Sequence, residues 1–157
     1  MINSQGGKDD IQMNTDDLAE RFIARTKAVA ARVSRANCED EVKRLIAADK
    51  ERFGADNVGV AHAVLGIAET GTCVVETDNE ETRLSTMLPE TSVIILKISN
   101  IVPGLLDVAP YLRERQKDGR ISYTSFITGP SRTADIERVG AIGVHGPLDV
   151  HVILQEN

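Results

Sequence analysis

Residues 126–137 read FITGPSRTADIE. An apolar, β-prone run stops at a Gly-Pro turn; hydroxyls and one arginine follow, then two acids. Gly129 permits a tight turn and close backbone approach, and Pro130 stiffens it. Ser131 or Thr133 can cap a short helical turn, with Asp135 and Glu137 near its positive end. Arg132 then stands beside backbone N–H groups. A guanidinium fork with such donors suits a carboxylate or phosphate. A capped turn in which Arg132 pairs with Asp135 or Glu137 fits the same residues, and spacing alone leaves both readings open.

Two further stretches carry similar residue types. In GIAETGT, Gly66–Thr72, Glu69 falls in a small-residue loop before a strand, and Gly71 lets the backbone approach a ligand. A carboxylate there could act as base or nucleophile if its pKa were shifted; the plainer reading is an exposed turn acid. In GAIGVHGPLDVH, Gly140–His151, His145 sits between Gly143 and Gly146–Pro147. It could donate a hydrogen bond to a ligand, although a satisfied loop histidine is the plainer alternative. His151 reads as packed within a strand, and His62 is ambiguous. Three scattered histidines give no metal-ligand spacing, so no metal site is expected. Neither G-x-G-x-x-G nor G-x-x-x-x-G-K-[ST] occurs, which leaves dinucleotide and P-loop sites unsupported.

These loops need a scaffold, and the composition bounds it. The chain has 157 residues, 41% of them hydrophobic, a formal net charge of −6, 3% aromatics and no Trp. One core-forming domain is expected over residues 15–157, after a flexible tail at 1–14. The charge disfavours a nucleic-acid partner, and the scarcity of aromatics disfavours base stacking. Cys38 and Cys73 match no CxxC spacing. They read as reduced thiols of a cytoplasmic protein and cannot supply a four-thiolate cluster. The polar start has no apolar signal region, and no run is long enough to span a membrane.

The spacing of Leu18, Phe22, Thr26 and Val29 predicts a helix over 16–31, capped by Asn14 or Thr15. A short strand at Val33 and a helix over 39–52, capped by Asn37, follow. NVGVAH, TCVVET, SVIILKI, ISYTSFI and DVHVIL read as strands, and DNEET as a solvated acidic turn. NIVPGLLDVAPYLRERQKDG carries another helix. Pro110 must kink it or begin a fresh one. Alternating strands and helices imply an α/β domain with a mostly parallel sheet flanked by helices, with ligands beyond the carboxyl ends of the strands.

In order, VGVAHAVLGIAETGTCVV, RLSTMLPETSVIIL, IVPGLLD, SYTSFITGPSRTADIE and GVHGPLDVHVIL resemble the lactate utilization protein C family and its LUD domain. GPSRTADIE followed by GVHGP is the specific part. The resemblance implies a glucosamine-6-phosphate deaminase, ribose-5-phosphate isomerase and CoA-transferase-like α/β fold. It also implies a part in oxidising L-lactate to pyruvate, beside iron–sulfur partner proteins that hold the clusters while this chain binds none. Carried over by position, the site residues are Glu69, Thr70, Gly71 and Thr72; Gly129, Ser131, Arg132, Thr133 and Asp135; and His145. In the implied fold the three loops converge at one sheet end, around a small anionic ligand paired by Arg132. Family members have more chain between the first helices and the VGV strand. Its loss would expose a sheet edge that a second copy could cover as a homodimer. Two other functions compete: a standalone CoA-transferase-like or sugar-phosphate enzyme using Glu69, and an assembly module that catalyses nothing.

Overall fold

The computed structural model describes residues 13–120, 122–131 and 146–157, without the side chains of 85–87. Helix α1, Thr15–Ala28, begins where the Asn14 side chain accepts from Asp16 N, and Asp16 and Asp17 sit at its positive end. It stops earlier than its apolar stripe suggests. Ala30 turns the chain at φ +65, and Ala31 N donates to Thr26 O. Strand β1, Arg32–Ala36, and helix α2, Glu39–Phe53, follow. The cap position of α2 is Cys38 rather than Asn37, whose backbone N–H instead donates to the Glu41 side chain at 2.6 Å.

Gly54 and one 3-10 turn, Ala55–Asn57, lead directly into β2, Val58–Ile67. This strand runs well past NVGVAH, because AVLGI continues the apolar, extended texture. It forms a hairpin with β3, Thr72–Thr77. The DNEET segment is not a simple turn. Asn79 Oδ1 accepts from Thr82 N and starts helix α3, Glu80–Met87. Strand β4 is Thr91–Lys97 and β5 is Ile101–Val102. After a 3-10 turn over Leu105–Val108, α4 (Ala109–Lys117) begins afresh with Pro110 in its first turn, where a missing N–H costs nothing. Strands β6, Tyr123–Ile127, and β7, Asp149–Gln155, complete the order.

The strands form one seven-stranded sheet, β1-β7-β4-β2-β3-β6, with β5 beside β2. The β1–β7, β7–β4, β4–β2 and β2–β5 pairings are parallel, whereas β2–β3 and β3–β6 are antiparallel. The mostly parallel α/β expectation holds. Alternation along β4 and β7 divides the core between two helices. Ile94, Leu96, Val150, Val152 and Leu154 face α1 through Ala19 and Phe22. Val93, Ile95 and Ile153 face α2 through Val42. Strand β2 changes partners midway, at an irregularity between Ala63 and Leu65, and such irregularities bend a strand.

Candidate functional site

The turn at 68–71 joins β2 to β3 and carries Glu69 and Thr70. Gly71, at φ +68, lies against α1: a Cβ there would sit 2.5 Å from Thr26 N. Gly129, at φ +69, lies against the residue after α1, with a Cβ 2.5 Å from Val29 O. The end of α1 therefore seats both loops, and only glycine fits either contact. The hydroxyls of Thr70 and Thr72, and of Thr72 and Thr128, are each 2.7 Å apart. Ser131 N donates to Pro147 O at 2.9 Å, and Gly146 leaves room for the Ser131 side chain. The described parts of the three loops thus touch in sequence. The first loop follows the carboxyl ends of the parallel partners β2 and β5, and the second follows the carboxyl end of β6. The third loop enters β7 at its amino end, where Asp149 pairs with Thr91.

The β3–β6 ribbon separates two cavities. On the α1 side, a cavity of about 420 Å³ has Val75, Thr77, Ser125 and Ile127 along its strands, and Gly129, Ser131, Gly146 and Pro147 along its loops. Thr77 is 7% exposed, and its Oγ1, closed off from solvent, has no hydrogen-bond partner among the described residues. On the other side, a cavity of about 360 Å³ is lined by Ile67, Thr70, Thr72 and Leu105. Phe126 and Thr128 border both.

The site residues expected from sequence are therefore divided. Gly129 and Ser131 line the first cavity, and Thr70 and Thr72 the second. Gly71 sits on α1. Glu69 is exposed, donates its N–H to Pro103 O at 3.1 Å, and turns its carboxylate towards Gly104; it lines neither cavity. Arg132, Thr133, Asp135, Glu137 and His145 lie outside the described residues. Thr77 and Ser125 were not anticipated. Alternation puts each on a face of its own strand, but sequence does not reveal that β3 and β6 are partners.

A second polar group links α2 to the sheet edge. Arg32 donates to Asp149 through Nη2 at 2.6 Å and to Asp49 through Nη1 at 2.9 Å. Hydrogen bonding to Asp149 raises the Arg32 pKa further; burial opposes this and Asp49 adds to it. His151 bonds Asp49 through Nδ1 and lies 2.8 Å from Ser34 Oγ through Nε2. Cys38 is exposed, whereas Cys73 is buried and its thiol pKa is pushed up to about 12 by desolvation. Among the described residues, no three His, Cys, Asp or Glu side chains cluster to hold a metal ion, and no helix is long and apolar enough to cross a membrane.

Residues 48–155 match the LUD domain. A lactate utilization protein C from Geobacillus thermodenitrificans is 40% identical over 100 residues, which cover 62% of this chain and 42% of that protein. Its namesake from Geobacillus sp. strain WCH70 is 39% identical, with the same coverage of 62% and 42%. The match spans less than half the length of these relatives. The crystal structure of a DUF162 family protein from Deinococcus radiodurans is similar with a TM-score of 0.63, covering 91% of this chain and 99% of that one. At 15% identity this likeness concerns the fold. With its loops, its sheet and most of its length accounted for by one domain, the chain belongs to the LUD domain family.

Proposed function

We propose that the chain acts in lactate utilization, as a cluster-free subunit of an iron–sulfur-dependent L-lactate oxidation system. In this reading the cavity on the α1 side binds a small carboxylate or phosphate anion. Similarity to proteins named for lactate utilization supports the process. One observation supports the cavity: Ser125, Thr128 and Ser131 bring three hydroxyl side chains to one lining, on the strand and loop that continue into Arg132. Such hydroxyls donate hydrogen bonds to an anion's oxygens. Arg132, next after Ser131, supplies the countercharge, and His145, just before Gly146, is the proton-exchanging group. Glu69 has no place in this pocket. Electron transfer falls to the partner proteins, since the two cysteines of this chain cannot supply a four-thiolate cluster.

Calorimetry with L-lactate, pyruvate and phosphate tests this reading. Binding should weaken by about 1.5–3 kcal/mol in Arg132→Ala, the loss of one charge-assisted pair. Absence of binding, or an unchanged affinity in the variant, contradicts it.

A further inference from the structure

The polar group between α2 and the sheet edge has no part in the cavity. Its connectivity is specific. Asp49 Oδ1 accepts from Arg32 Nη1, and Asp49 Oδ2 contacts His151 Nδ1. The opposite ring nitrogen, Nε2, is 2.8 Å from Ser34 Oγ. An ionised carboxylate only accepts hydrogen bonds, so the proton of a neutral imidazole resides on Nδ1. Nε2 then presents its lone pair to the Ser34 hydroxyl. This is the arrangement of a nucleophile, its base and the acid that orients the base.

We propose that Ser34, His151 and Asp49 form a hydrolytic site for small carboxylic esters. Asp49 and His151 are 4% and 3% exposed, so water does not compete for the contact that sets the tautomer. Ser34 is only half-buried. It lies on β1, which ends the strand order and has one strand neighbour, β7, among the described residues. A cleft of about 300 Å³ lies between the same strand's end and α2, lined by Arg35, which follows Ser34, by Asn37, and by Glu41, Arg44 and Leu45 of α2. Leu45 is one helical turn before Asp49 and shares its helix face. Arg35 pairs with Glu20, but Arg44 makes no ion pair among the described residues and bonds only the Asp40 carbonyl, through Nε.

In the first step Ser34 Oγ bonds to the acyl carbon while its proton passes to His151 Nε2. The bond to the alcohol oxygen breaks as that proton is delivered to the leaving group. Water then gives a proton to Nε2 and attacks the acyl-serine. The acid leaves, and the proton returns to Ser34 Oγ. Asp49 steadies the imidazolium and takes no proton. The sequence consumes one water and needs no oxidant.

Labelling of the full chain with a fluorophosphonate probe, with the modified residue located by mass spectrometry, tests the proposal. Hydrolysis of p-nitrophenyl acetate is followed in parallel. The expected result is one modification, at Ser34, and hydrolysis that falls roughly a hundredfold or more in Ser34→Ala. Because substitution of buried His151 could unfold the protein, Ser34→Cys is the second variant. Its new thiol, beside the imidazole, should react with iodoacetamide at pH 7 at least about tenfold faster than Cys38. Modification elsewhere, hydrolysis unchanged in Ser34→Ala, or a thiol in Ser34→Cys that reacts no faster than Cys38 overturns the proposal.

Discussion

The Thr72 and Thr128 hydroxyls stand 2.7 Å apart, 56 residues apart in sequence, and join the first loop to the second. Thr72 is buried and also meets Thr70, whereas Thr128 is exposed. Thr72→Val should destabilise the fold by about 1 kcal/mol, and Thr128→Val by less because water replaces the lost partner. A urea-denaturation double-mutant cycle should give a coupling of about 0.5 kcal/mol or more. Strict additivity would show that the two loops are not joined through these groups.

Gly71 and Gly129 combine positive φ with backbone contacts to α1. Gly71→Ala and Gly129→Ala should each cost more than the roughly 1–3 kcal/mol of an unfavourable backbone conformation, since the added methyl would meet Thr26 N and Val29 O at 2.5 Å. Gly119→Ala is the control. It shares a positive φ of +62 but meets nothing within 4 Å, so its cost should stay near the lower bound. Urea midpoints that fall equally in all three variants would contradict the seating of the loops on α1.

Cys73 makes stability depend on alkaline pH. Its folded pKa, near 12, exceeds the ordinary thiol value of 9.0. Between these values the unfolded chain loses a proton that the folded chain keeps. The stabilisation is full below pH 9 and is lost as pH rises towards 12. The slope should be roughly 1.4 kcal/mol per pH unit, and Cys73→Ala should remove it. In native protein a thiol reagent should modify Cys38 and spare Cys73 until urea unfolds the chain. Equal reactivity of the two would contradict the burial.

Local chemistry made much of this fold legible. The β-branched run of SVIILKI is the central strand β4, buried from Thr91 to Leu96, and Pro110 marks the start of α4 as its missing N–H requires. Asn79 was harder to read, because one amide accepting from Thr82 N converts an acidic turn into a helix start. The cavity was legible only in part. Gly129 and Ser131 stand out by motif, but Thr77 becomes notable only when β3 and β6 pair so that it shares a face with Ser125. Long-range register is not written in local spacing. The same holds for His151, whose contacts to Asp49 and Ser34 lie 102 and 117 residues away.

Calorimetry on Ser131→Ala, paired with its urea midpoint, tests the anion-binding cavity most directly. The substitution keeps the backbone bond from Ser131 N to Pro147 O, so stability should change by less than about 1 kcal/mol. Affinity for L-lactate, pyruvate or phosphate should fall by about 1 kcal/mol, roughly fivefold. A chain that binds none of the three, or a Ser131→Ala variant that binds as tightly, would show that the cavity is not the anion site.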